Sequence, residues 1–214
     1  MSDIFREIDE ELRRDNIAKL WERYGAYLIG FAVLVVLITA GIVGWREYRS
    51  RQLQAEGTRY AAAVDLARQG EDDKAVQAFA TVARDASGGH SLLARFEEAA
   101  LKAKQGDEGG AVMIYDAVAN DASLDRSYRD LATILSAMHG LAKGDPKAAI
   151  ERVAPLTQAG QPWRASALEV TAIAKLKAGD RPAALDTYKQ ISDDPDAPQG
   201  IRARAAEMVS ALGQ

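Results

Sequence analysis

The sequence predicts an all-α protein in two parts, a single N-terminal transmembrane helix followed by an α-solenoid of stacked helical hairpins. Three observations carry that prediction. Twenty consecutive residues from Ala26 to Trp45 carry no charge, and charged residues crowd both flanks. Downstream, a Gly–acid–Ala–bulky pattern recurs four times. Cysteine is absent altogether, which removes disulfide scaffolds, cysteine-ligated zinc sites and thiol nucleophiles.

Composition sets the outer limits. The 214 residues have room for one or two ordinary domains. With 48% hydrophobic and 27% charged residues and a net charge of −4, the chain is neither disordered nor strongly basic. A formal net charge of −4 argues against a nucleic-acid surface, which needs a dense basic patch.

The N-terminal tail, residues 1–25, reads as a charged amphipathic helix. Phe5, Ile8 and Leu12 share one helical stripe, and Ile17, Leu20, Trp21 and Tyr24 form a second, displaced one. The interleaved Glu and Arg suit a solvated or interfacial helix, or a contact with a cytoplasmic partner.

The segment 26–45 follows. As a helix, its twenty residues reach roughly 30 Å, the hydrocarbon thickness of a bilayer. Eleven of them are Leu, Ile, Val or Phe. Each such residue favours insertion by about 0.3–0.6 kcal/mol near the bilayer centre, and no charge opposes them. Trp21, Tyr24 and Tyr27 at one end, with Trp45 and Tyr48 at the other, match the two aromatic belts of a span. A cleaved signal peptide fits poorly. Its apolar stretch is shorter and nearer the N-terminus, and Arg46-Glu47-Tyr48-Arg49-Ser50-Arg51 is a poor cleavage context. Within the span, Ala26/Gly30 and Ala40/Gly44 are small-xxx-small pairs that either admit a neighbouring helix or simply face lipid. Arg6, Arg13, Arg14, Lys19 and Arg23 on the short tail oppose Arg46, Arg49, Arg51 and Arg59. Because long domains cross regardless of charge, the tail decides, and it favours an N-inside orientation.

Residues 46–214 form the repeat region. QGEDDKAVQAF (69–79), QGDEGGAVMIY (105–115), KGDPKAAIERV (143–153) and AGDRPAALDTY (178–188) align. Gly70, Gly106, Gly144 and Gly179 are each followed by Asp or Glu, and Ala75, Ala111, Ala149 and Ala184 lie five residues further on. Phe79, Tyr115, Val153 and Tyr188 supply the bulky position, and Ala63, Ala99, Ala137 and Ala172 lie seven residues before each Gly. Gly is expected to end one helix in the left-handed region, and the acid to cap the next. Asp145-Pro146 is the plainest cap. The alanines allow close helix approach, and the bulky residues fill between hairpins.

The expected helix pairs are 50–68 with 72–85, 91–104 with 108–120, 128–142 with 146–158, and 163–177 with 181–191. The linker SDDPDAPQG precedes a capping helix, 200–212. Nothing between Trp45 and Gly57 breaks a helix, so the span is expected to run straight into the first repeat helix and hold the solenoid near the bilayer.

This pattern resembles the tetratricopeptide repeat over about residues 50–212. It lacks that repeat's usual tryptophan and terminal proline, and the Gly-to-Gly steps of 36, 38 and 35 exceed the standard spacing of about 34. The whole layout, with IFREIDEELRRD in the tail and GWREYRSRQ (44–52) leaving the span, resembles the YfgM family of bacterial inner-membrane proteins. That resemblance implies a cytoplasmic N-terminus, a periplasmic repeat domain and an accessory role at the SecYEG translocon. It also implies association with the membrane-anchored periplasmic chaperone PpiD, and contact with secreted polypeptides. It supplies no binding residues.

Catalytic chemistry finds no foothold. His90 and His139 have no partner at metal or triad spacing, the acids of 192–200 match no calcium loop, and no glycine pair matches a phosphate cradle. No cofactor is expected. The expected function is binding, either of extended clients or, as an alternative, of folded envelope partners that the domain clamps. A solenoid groove is lined by the first helix of each repeat. Tyr60, Phe96 and Ile134 occupy equivalent places there, as a peptide-facing stripe or as inter-repeat core.

Overall fold

In the computed structural model the described residues are 3–142 and 144–213, with side chains described from Trp21 onward except at 22, 26, 28, 32 and 143. The tail stripe of Phe5, Ile8, Leu12, Ile17 and Leu20, and the Ala26 half of its small-residue pair, fall outside the described side chains. Among the described residues every regular element is helical: α1 (Asp3–Arg68), α2 (Asp72–Asp85), α3 (Gly88–Lys104), α4 (Glu108–Ala119), α5 (Arg126–Gly140), α6 (Pro146–Val153), a 3₁₀ turn (Ala154–Thr157), α7 (Arg164–Lys177), α8 (Arg181–Ser192) and α9 (Gln199–Leu212). The chain divides into two compact units, Met1–Ala55 and Glu56–Gln214.

The first unit lies within α1, whose 66 residues run without interruption through Gly25 and the uncharged segment. Every described residue from Tyr27 to Ala55 is exposed. The helix is long and apolar enough to cross a bilayer, and none of its apolar window is buried among the described residues. A soluble monomer rarely exposes so large a continuous apolar surface.

In the second unit each hairpin buries its apolar side on the next. Ala63 and Ala75 share one cluster with Phe79, Val82, Ala94 and Leu101. Ala99 and Ala111 share another with Tyr115, and Ala137 and Ala149 a third with Val153. The missing β-carbon branches thus let the two helices of each pair approach, as the spacing predicts. Phe79, Tyr115, Val153 and Tyr188 are at most 3% exposed, so all four bulky positions are core. Full burial of one such side chain is worth about 1.5–3 kcal/mol. Helix α9 packs on α8 and α7, burying Ala205 with Tyr188 and Ile191 and closing the stack.

The turns follow the expected chemistry at most positions. Gly70, Gly106 and Gly179 have φ of 78°, 85° and 85°, the left-handed region. Gly144 corrects the expectation, because its φ is not positive. The longer second step lets the chain leave α5 over Leu141 and Ala142, and the Gly144 amide donates to the Gly140 carbonyl at 2.8 Å. A β-carbon at 144 would sit 2.5 Å from that oxygen, so glycine serves close approach there. Of the acids, Asp107, Asp145 and Asp180 accept from Gly110, Lys147 and Ala183 amides at 2.9–3.0 Å. Glu71 makes no such cap. One methylene longer, it ion-pairs with Lys74 at 2.5 Å instead.

Three boundaries also move. α3 begins at Gly88 rather than 91. α6 stops at Val153 rather than reaching 158, because Pro155 has no amide hydrogen to continue the helix. α5 begins at Arg126, where the Asp125 carboxylate accepts from the Ser127 amide at 2.8 Å.

Candidate functional surface

The candidate surface is built on the first helix of each pair: the last turns of α1, then α3, α5 and α7. The second helices pack against one side of these and leave another side open. Ten residues before each turn glycine stand Tyr60, Phe96, Ile134 and, in the last repeat, Glu169.

The structure treats the predicted stripe unevenly. Tyr60 is half-buried, edge-on to Phe79 with ring centroids 5.6 Å apart, and 6.2 Å from the His90 ring. Burial, and then the Glu97 charge, push its phenol above the usual tyrosine range. Phe96 is also half-buried and bridges two clusters, one around Leu92, Val118 and Ala132 and one around Ala99, Ala111 and Tyr115. Its ring lies 5.9 Å from Tyr115. Ile134 is 3% exposed and packs among Ala137, Leu141, Val153 and Val170. At this position the inter-repeat core alternative describes its packing. Glu169 accepts two hydrogen bonds from Arg204 of α9, at 2.8 and 2.9 Å.

Exposed apolar side chains lie one turn away from the predicted ones. Leu93 is 49% exposed, three residues before Phe96, and Met138 is 38% exposed, four residues after Ile134. On a helix those separations keep residues on one face. By repeat register Leu93, Phe96 and Ala100 on α3 correspond to Leu131, Ile134 and Met138 on α5, of which Leu131 is half-buried and Ile134 sealed. The exposed Glu97 flanks the α3 row. The sequence carried this signal in its i−3 and i+4 neighbours.

Both histidines have a carboxylate partner. His139 Nδ1 lies 2.8 Å from Glu108 Oε2, and its ring stacks on Tyr115 at 5.6 Å. Burial, then Glu97 and Glu108, raise the Tyr115 phenol. His90 lies 3.7 Å from Glu56, a buried carboxylate that also accepts from the Ser87 amide and hydroxyl. Among the described residues no group of three His, Cys, Asp or Glu could hold a metal. Arg152, Asp116 and Ser136 form a further polar knot joining α6, α4 and α5.

Stacked hairpins, paired alanines, glycine–acid turns and a partly apolar open face define a helical-repeat binding scaffold of the tetratricopeptide type, a class generally lacking catalytic sites. Residues 18–208 match the tetratricopeptide repeat-like domain family, and the chain belongs to it. A crystal structure of nearly identical TPR-like repeats from a Podosopora anserina protein described as a kinesin light chain is similar at 16% identity and a TM-score of 0.54. That match covers 72% of this chain and 83% of the other, and it speaks for the fold alone. No curated protein matches the chain.

Proposed function

We propose that this protein is a membrane-anchored binding scaffold that serves the SecYEG translocon, with its repeat domain in the periplasm beside a PpiD-like chaperone. In this reading the domain takes extended, partly apolar segments of secreted polypeptides along the Leu93–Met138 face. One observation carries the membrane-tethered part: a protein-binding repeat family is joined in one chain to an uncovered helix long enough to span a bilayer. The translocon assignment rests on the resemblance of tail, span exit and repeat layout described above. Tethering supports the reading energetically, because it turns weak contacts into intramolecular ones at an effective concentration of about millimolar.

The test uses the full chain in cells. A photo-crosslinking residue at Leu93 or Met138 is expected to capture translocon subunits and secreted precursors, and an Ala206 probe on α9 is not. Capture of a single folded envelope protein at fixed stoichiometry, with no precursor, would replace this reading with that of a clamp. Topology is checked separately, since the chain has no cysteine. An impermeant thiol reagent applied to intact cells is expected to label Ala203→Cys and to leave Ser2→Cys untouched.

A further inference from the structure

Just beyond the uncharged segment, α1 presents a second kind of surface. Trp45, Arg46, Arg49, Ser50, Leu53 and Gln54 line one shallow hollow along the helix. Those positions recur every three or four residues and so share a face. Glu47 points its charge to Arg51, at 2.8 Å, and is not available to that face. Among the described residues neither Arg46 nor Arg49 has a carboxylate partner. Trp45 and Tyr48 pair with ring centroids 6.3 Å apart, and both are more than 60% exposed.

The heights match a head-group layer. Arg46 and Arg49 lie about 1.5 and 6 Å past the last uncharged residue along the helix axis. The polar layer on each side of the hydrocarbon is about 5–7 Å deep. A guanidinium offers a planar fork to phosphate oxygens, a serine hydroxyl adds a donor, and interfacial aromatics fix the depth. Two guanidinia without a counter-charge would repel the ammonium of a zwitterionic head group. A head group of net negative charge satisfies both.

We propose that this face binds the phosphodiester head group of an anionic glycerophospholipid, through Arg46 and Arg49 with Ser50, while Trp45 marks the interface. The inference rests on α1 spanning the bilayer, and its test separates the two. The full chain with Trp21→Phe and Trp163→Phe keeps Trp45 as its one indole. It is reconstituted in phosphatidylcholine vesicles containing a fixed fraction of phosphatidylglycerol, with brominated acyl chains placed on one lipid or the other. Brominated phosphatidylglycerol is expected to quench Trp45 about threefold more per mole than brominated phosphatidylcholine. Arg46→Gln with Arg49→Gln is expected to bring that ratio to one, with helix content unchanged. Equal quenching in the parent chain, or a preference that survives the double substitution, would overturn the proposal while leaving the span intact. Absence of quenching by either lipid would overturn the span, and the proposal with it.

Discussion

Phe79→Ala tests whether the repeat domain is held together neighbour by neighbour. Phe79 is 1% exposed and fills the space between α1, α2 and α3 beside Ala63, Ala75 and Ala94. Truncating a buried Phe to Ala costs about 3–5 kcal/mol, including the cavity left behind. Some 0.5–1.5 kcal/mol of that is the edge-on contact with Tyr60, in the range usual for such ring pairs. Stability in a solenoid is a sum of repeat and interface terms, so the loss is expected to stay local. Amide hydrogen exchange on the full chain in detergent is the assay. Protection in α2 and in residues 56–68 should fall by about two to four orders of magnitude, at ~1.4 kcal/mol per decade. Protection in α7, α8 and α9 should stay within about threefold of the parent. A uniform fall across all helices would refute the nearest-neighbour reasoning and make the domain one cooperative block.

Four further outcomes follow from local geometry. Glu71→Asp supplies the cap that the other three turns already have, and is expected to stabilise by about 0.5–1 kcal/mol, read as a rise of ~2–4 °C in melting temperature. Gly144→Ala brings a β-carbon against the Gly140 carbonyl and should destabilise by about 1–3 kcal/mol in urea unfolding. Gly140→Ala meets nothing and should stabilise by about 0.4–1 kcal/mol in the same assay. The Ser127 amide holds the Asp125 carboxyl below its usual range, and hydrogen bonds from Ser123 do the same for Asp121. A depressed carboxyl stabilises the fold fully above its unfolded value of about 3.9 and loses that contribution as pH falls through the folded one. Asp125→Asn with Asp121→Asn should therefore lower stability at neutral pH and flatten the acid side of the stability–pH curve; an unchanged acid limb would count against it.

The solenoid was legible because its determinants are periodic. Ala63, Ala99, Ala137 and Ala172 are at most 2% exposed, since a fixed distance from a turn fixes a helix face. Depth on that face is another matter, because the neighbouring helix sets it. Position for position, Tyr60 and Phe96 keep an exposed edge, Ile134 is sealed against α6 and α7, and Glu169 is drawn to Arg204. One register therefore yields two half-exposed rings, a core side chain and an ion pair. The early end of α6 is readable from Pro155, and the Asp125 cap from its residue type, because both act locally and independently of the repeat length. The His139–Glu108 pair joins residues 31 apart in sequence, and no local pattern announces it.

Arg181, at the start of α8, donates to the backbone oxygens of Ala211 and Leu212 at 2.9–3.3 Å and so latches the final turn of α9. The exposed side of α9, with Glu207 and Ser210, offers water-loving groups where another hairpin would need grease. A further hairpin laid on that side would have to bury those groups, at about 1–3 kcal/mol for each one left without a partner.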